Sequence, residues 1–149
     1  MIATPTHHTT PFLHTAPAPD GFSARPDDLL DISLLIPVMN EEESVGELYA
    51  RLIDALASIT ERFEIVFVDD GSTDGTFDRL RELNGHDPRV KVIRFRRNYG
   101  KTAALVAGFE RCQGEVVITM DGDLQDEPTE IPKLLEQLRD YDLVSGWKK

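Results

Sequence analysis

The sequence predicts an α/β domain: a mostly parallel, Rossmann-like sheet with helices on both faces. Three observations carry that expectation. Strand-like and helix-like stretches alternate from Asp31 to the end of the chain, as they do when helices form the crossovers between parallel strands. The strand-like stretches are short apolar runs with turn residues at their ends. Two of them stop abruptly in carboxylates, Val68 before Asp69-Asp70 and Met120 before Asp121. Ligands of open α/β sheets collect at such strand ends.

The elements follow in order. Ile32 to Pro37 reads as the first strand. Asn40 then has the character of an N-cap, with Glu43 three residues on to complete a capping box. The helix behind it carries Val45, Leu48, Tyr49, Leu52, Ile53, Leu56 and Ile59, one apolar stripe at helical spacing whose plain role is core packing. Phe63 to Val68 is the second strand. Gly71 to Gly75 is a turn in which both glycines provide positive φ. A short helix with Phe77, Leu80 and Leu83 follows, then a third strand from Val90 to Phe95. Lys101 to Arg111 is a helix of small residues, Glu115 to Met120 a fourth strand, and Ile131, Leu134, Leu135 and Leu138 mark a fourth helix. Leu143 to Trp147 opens a fifth strand. With no closing helix behind it the sheet reads as unfinished, the front part of a larger protein. No internal repeat is present.

Residues 1–28 are rich in Thr, Pro, Ala and His without apolar periodicity, the composition of a disordered leader. His7, His8 and His14 lie in it and read as solvated residues rather than as a metal site. The domain proper is expected over residues 29–149. The formal net charge of −11 speaks against nucleic-acid binding through a broad basic surface. Its positive charge is concentrated instead, with Arg94, Arg96, Arg97 and Lys101 in one short segment. The single cysteine, Cys112, cannot form an internal disulfide and suits a reducing compartment. No apolar run reaches the roughly 18 residues of a membrane span, and the N-terminus lacks the pattern of a signal peptide. The expected location is the cytoplasm, or the cytoplasmic face of a membrane in a longer protein.

The most informative stretch is Val116 to Pro128, V-V-I-T-M-D-G-D-L-Q-D-E-P. Asp121, Asp123 and Gln125 would rise from a buried strand end as hard oxygen ligands for Mg²⁺ or Mn²⁺. Two carboxylates repel at such a spot unless a cation joins them, and substrate phosphates usually complete the coordination. The loop V-D-D-G-S-T-D-G-T, Val68 to Thr76, offers Asp70 as a ligand for a nucleobase or ribose, while Asp74 is better explained as a helix cap. The segment R-F-R-R-N-Y-G-K, Arg94 to Lys101, opens a helix whose first N–H groups, with Lys101 and an arginine, suit an anion.

Competing motifs fail on particular residues. An EF-hand loop begun at Asp70 would place Arg81 where the bidentate Glu belongs; begun at Asp121 it places Asp126 at the Gly position and Pro132 at the Glu position. Gly100-Lys101-Thr102 imitates the end of a P-loop, but Phe95 stands where its first glycine is required. G-x-G-x-x-G is absent. A phospho-acceptor receiver domain would need its acidic pair after the first strand, where this chain has Pro37-Val38-Met39-Asn40-Glu41.

Four segments together, I-P-V-M-N-E-E-E (Ile36–Glu43), V-D-D-G-S-T-D-G-T (Val68–Thr76), R-R-N-Y-G-K (Arg96–Lys101) and M-D-G-D-L-Q-D-E-P (Met120–Pro128), resemble the family 2 glycosyltransferases. The likeness is to the branch with dolichol-phosphate mannosyltransferase and bacterial polyprenyl-phosphate glycosyltransferases. The resemblance implies a GT-A fold, here cut short after the fifth strand, a UDP- or GDP-sugar donor, Mg²⁺ or Mn²⁺, and inversion at the anomeric carbon. It places Pro37, Met39 and Glu41 along the donor nucleotide and Val68 and Asp70 at the base-binding wall. Asn98 and Lys101 fall in the loop beside the donor, Gly122 against the donor, and Asp121, Asp123 and Gln125 at the metal and diphosphate, with Asp121 and Asp123 as the catalytic pair. It implies a polyprenyl phosphate as acceptor, with membrane association through segments other than these. A saccharide hydroxyl acceptor would call for a general base, for which Asp126 and Glu127 are the nearby candidates. A non-catalytic nucleotide-sugar-binding module is the alternative of a different class.

Overall fold

The computed structural model describes residues 2–3 and 30–146. Its elements are β1 (Ile2–Ala3), β2 (Leu30–Val38), α1 (Val45–Ala57), β3 (Phe63–Asp69), α2 (Thr76–His86), β4 (Val90–Arg94), α3 (Lys101–Phe109), β5 (Gly114–Thr119), a 3₁₀ turn (Pro128–Glu130), α4 (Ile131–Gln137) and β6 (Leu143–Val144). The expected leader lies outside the described residues except for Ile2–Ala3, whose backbone pairs with the sheet. Trp147 also lies outside them.

The strand order is β4-β3-β2-β5-β1-β6. β4, β3, β2 and β5 run parallel to one another, while β1 pairs antiparallel with both β5 and β6. Period-two alternation assigns each strand two faces. Ile32, Leu34, Ile36, Phe63, Ile65, Phe67, Val116 and Ile118 pack with Val45, Leu48, Leu52 and Leu56 of α1, Leu80 of α2 and Ile131 of α4. Leu35, Val66, Val68 and Val117 face the other way and meet Ala104 of α3. Helices therefore cover both faces, as the sequence leads one to expect. The small residues of α3 have a physical purpose: a Cβ built on Gly108 would lie 2.0 Å from Leu35 Cδ1, so the helix backbone rests directly on the sheet.

Polar groups buried at the amino ends of the strands are all spoken for. Asp31 accepts from Arg62 Nη2 at 2.7 Å and Thr60 Oγ1 at 2.5 Å. Ser33 Oγ donates to Glu64 at 2.7 Å and accepts from Gly114 N at 2.8 Å, while Gln113 N donates to Glu64 at 2.6 Å. Next to this network burial pushes the Cys112 thiol up to about 11, with the Glu64 carboxylate adding to the effect, so it stays an unreactive thiol. On the α2–β4 turn, Arg89 grips Asp87 through Nη2 at 2.8 Å and lies over the Phe63 ring, and Tyr49 of α1 donates to the same carboxylate at 2.8 Å.

One expectation is corrected. The capping box does not form: α1 begins at Val45 with Ser44 at its N-cap and no side-chain cap. Asn40 adopts φ 56 and Glu43 is exposed. Asn40 is drawn away by a loop from another strand, described below.

Two predictions follow from this packing. Gly108→Ala should destabilise the domain by ~1–3 kcal/mol, the range for overpacked cores, despite alanine's better helix propensity. Urea unfolding measures it, and an unchanged midpoint would mean that α3 is free to lift off the sheet. The second concerns acid. Hydrogen bonds from Arg89 hold Asp87 at about 2, below the ordinary carboxylate value. A depressed folded pKa gives stability that is present above the unfolded pKa and is lost as pH falls towards the folded one. Stability should thus decline between about pH 4 and pH 2, and Asp87→Asn, measured by unfolding at each pH, should flatten that part of the profile.

Candidate functional site

The chain passes from β2 to β3 to β4 on one side of the sheet and then crosses to β5 on the other side of β2. That reversal opens a crevice outside the carboxyl ends of β2 and β5, the general ligand position in open α/β sheets. Register brings the ends together: Val38 is opposite Asp69, and Asp69 opposite Arg94. The loop after β5 lies on the end of β2, because a Cβ on Gly122 would come within 2.7 Å of Val38 Cγ1. Every motif singled out in the sequence therefore meets at one edge.

Three loops there are fastened to one another. Asn40 N donates to Ser72 Oγ at 2.9 Å and Glu41 N to Thr76 Oγ1 at 2.8 Å; in return Thr73 N donates to Asn40 Oδ1 at 2.9 Å and Gly75 N to Glu42 Oε2 at 3.0 Å. The β4–α3 loop is tied in by Asp70, which is 5% exposed. Asp70 N donates to Val38 O at 2.9 Å, its Oδ1 accepts Tyr99 N at 2.7 Å and its Oδ2 accepts Gly100 N at 2.9 Å. Gly71 (φ +76) presses against the same loop, and a Cβ on it would fall 2.3 Å from the Arg97 carbonyl carbon. Gly75, expected to share that conformation, has φ −78; its bare Cα makes room for the Glu42 carboxylate instead. Asp74 is not the cap expected of it: the N-cap of α2 is Gly75, with no side-chain cap, and Asp74 just before it accepts Thr76 N at 3.0 Å while the Thr76 hydroxyl bond holds its carboxyl below the ordinary range.

A cavity of about 590 Å³ opens among these loops, lined by Met39, Gly71, Ser72, Thr73 and the stretch from Arg94 to Asn98. Met39 and Asn98 are thus brought together, with Asn98 Nδ2 2.7 Å from Met39 Sδ. Pro37, Glu41 and Asp70 border the same strand ends without lining the cavity. Val68 is corrected: it is fully buried among Leu35, Val66 and Ala104, so its side chain is core rather than binding wall. Asp69 and Arg94, read from the sequence only as a strand-end carboxylate and as one of a basic cluster, turn out to face each other. Asp69 is fully buried, with Oδ2 lacking a hydrogen bond and 3.6 Å from Arg94 Nε. Arg94 stacks on Phe77 with its guanidinium carbon 4.1 Å from the ring centroid.

Beside the cavity stand the acidic residues of the β5 loop. Leu124 takes φ 63, folding the loop so that Gln125 N donates to Asp123 Oδ1 at 3.1 Å and Asp121 N to Asp126 Oδ2 at 2.9 Å. Asp123 and Gln125 are exposed and Asp121 half-buried. Lys101 Nζ makes an ion pair with Asp121 Oδ1. Among the described residues no group of three or more His, Cys, Asp or Glu surrounds a common point. The donor set of Asp121, Asp123 and Gln125 nevertheless fits a hard divalent cation that takes its other ligands from a bound substrate. The remaining acids have structural partners: Asp126 holds the Asp121 amide, and Glu127 pairs with Arg51 at 2.8 Å.

An open α/β sheet with interlocked loops at its switch point and a D-x-D loop near a basic cavity is the architecture of a GT-A fold. Comparison with known proteins agrees. The family described as Glycosyl transferase family 2 matches residues 33–148, and the chain belongs to it. It is 42% identical over 127 residues to a dodecaprenyl-phosphate galacturonate synthase of Rhizobium johnstonii, covering 83% of this chain and 38% of that protein. It is 47% identical over 123 residues to an undecaprenyl-phosphate 4-deoxy-4-formamido-L-arabinose transferase of Pseudomonas syringae pv. syringae, covering 80% of this chain and 36% of that one. The chain thus spans little more than a third of these relatives. A mannosyltransferase from Pyrobaculum calidifontis, solved with GDP-Man and Mn²⁺, superposes with a TM-score of 0.65 at 24% identity over 78% of this chain and 36% of its own. Glucosyl-3-phosphoglycerate synthase from Mycobacterium tuberculosis, solved with Mn²⁺, UDP and phosphoglyceric acid, gives 0.59 at 24% identity over 74% and 39%. These likenesses show the GT-A fold.

The loop fastening makes a prediction. Gly71→Ala forces an L residue to positive φ and into the Arg97 backbone, a cost of ~1–3 kcal/mol. Amide exchange at Tyr99 and Gly100 should accelerate in that variant; unaltered protection there would show that Gly71 does not hold the loop.

Proposed function

We propose that this chain is the donor-binding part of an inverting, metal-dependent glycosyltransferase that moves a sugar from a UDP- or GDP-linked donor to a polyprenyl phosphate. The observation that carries the reading is the meeting of Asp121-x-Asp123 with the β4–α3 loop and its Lys101 at the β2/β5 switch point. In this reading Met39, Asn98 and the backbone around Pro37 and Glu41 hold the nucleoside, Asp70 keeps the loops in place around it, and Gly122 lets the diphosphate approach the backbone. Asp121 and Asp123, with Gln125, hold Mg²⁺ or Mn²⁺. When bound, the ion stabilises the negative charge that gathers on the departing nucleoside diphosphate.

Transfer has the acceptor oxygen attack the anomeric carbon from the face opposite the diphosphate, whose oxygen leaves with the bonding electrons. A phosphate-monoester acceptor is ionised near neutral pH, its second pKa being about 6, and requires no strong protein base. Two features favour that acceptor over a sugar hydroxyl. Asp126 and Glu127 already serve as an amide acceptor and an ion-pair partner, and the curated relatives described above are named for dodecaprenyl and undecaprenyl phosphates. Among the described residues no helix is long and apolar enough to cross a membrane. The reading places the protein at the cytoplasmic face of one, with other segments meeting the lipid.

Donor binding is the property asked of the residues present. Wild-type chain should bind UDP or GDP in an Mn²⁺-dependent manner by calorimetry. Asp123→Ala should remove the metal-dependent part, a loss of tenfold or more in affinity (about 1.4 kcal/mol), with the circular dichroism spectrum unchanged because Asp123 is exposed. Equal affinity with and without Mn²⁺ in the wild type would overturn the metal site.

A further inference from the structure

We propose that Lys101 is an internal rival of the metal ion: it occupies Asp121 in the absence of donor and transfers to the donor diphosphate when the ion binds. The inference rests on the donor-site reading and adds a coupling device to it. Lys101 is the first residue of α3, and the first turn of that helix holds no acidic residue. A cation at a helix N-terminus is opposed by the aligned peptide dipoles, so the helix gains nothing from a lysine there. An anion must offset the arrangement, and the anion it meets is Asp121, twenty residues on in the chain.

The pair is also loose. The Lys101 side chain is 60% exposed and that of Asp121 32%, and ion pairs in contact with water are weak. A divalent cation would displace the ammonium readily, though it must do so before it gains Asp121 Oδ1. The displaced lysine cannot go far. Its backbone follows Tyr99 and Gly100, whose amides are fixed on the two oxygens of Asp70 at 2.7 and 2.9 Å. The flexible stem therefore swings within the same mouth, where a diphosphate offers it a better partner than a single carboxylate. Metal without diphosphate leaves the lysine with no counter-ion. Diphosphate without metal must draw it off Asp121. Each ligand removes the other's obstacle, which is positive coupling between them.

The test is a titration of MnCl₂ alone, followed through the paramagnetic resonance of free Mn²⁺, on wild type, Lys101→Gln and Lys101→Arg. Titrations of UDP and GDP at saturating Mn²⁺ follow by calorimetry. Lys101→Gln should bind Mn²⁺ alone about two- to fivefold more tightly, the scale set by exposed ion pairs. It should bind the nucleoside diphosphate more weakly at saturating Mn²⁺. Lys101→Arg, which keeps the charge, should stay near wild type in the Mn²⁺ titration. Unchanged or weaker Mn²⁺ binding by Lys101→Gln, with nucleotide binding still metal-dependent in the wild type, overturns the exchange and leaves the donor site standing. Wild-type nucleotide binding that ignores Mn²⁺ overturns both.

Discussion

Asp70 sits almost wholly buried at the end of β3 and spends both carboxylate oxygens on the backbone of another loop. Hydrogen bonds to an ionised group contribute about 1.5–3 kcal/mol each, and a buried carboxylate left without them would be costly. The constraint is mutual. The Tyr99 and Gly100 amides precede α3 and have no strand to pair with, and Asp70 would be an orphan charge without them. Gly100 can then take φ +92, and α3 starts at a fixed point with Lys101 facing the β5 loop. The positions of Asn98 and Lys101, on either side of those amides, follow from this one side chain, and Gly71 beside it sets that of Arg97.

Around it the loops are held by reciprocal bonds rather than by burial of apolar surface. Asn40, Glu41 and Glu42 exchange hydrogen bonds with Ser72, Thr73, Thr76 and Gly75, and the sheet below provides the packing. Hydrophobic contacts are non-directional, so they fix where a strand lies but not which way a loop's polar atoms point. A site that must present a few oxygens and amides to a charged ligand needs directional bonds, and the short polar residues of these loops provide them.

Electrostatics at the site run against the character of the whole chain. The formal net charge is −11, yet the cavity wall carries Arg94, Arg96 and Arg97, with Lys101 beside it. A strongly acidic protein would repel a nucleoside diphosphate over much of its surface. In the proposed function the arginine-rich loop gives that ligand a favourable approach, and the D-x-D loop holds the cation that comes with it. Both signs of charge within one crevice suit a ligand that arrives as an anion paired with a metal ion.

The sequence by itself determined the elements and their faces. The stripe Val45, Leu48, Leu52 and Leu56 is buried as its spacing requires, the alternation along β2 and β5 divides between the two cores, and four motifs in order sufficed to place the chain in its family. These are local signals, because side-chain periodicity is fixed by backbone geometry within one element. Tertiary structure decided what each polar residue does. Asn40 and Glu43 have the spacing of a capping box, but Ser72 and Thr73 from the neighbouring loop offer Asn40 other partners. Val68 belongs to a binding motif by sequence and to the core by the register of β3. Lys101 and Asp121 meet only because the chain crosses from β4 to β5 over β2. Which loops become neighbours depends on strand order, and strand order is settled by the packing of the whole sheet, which no single segment encodes.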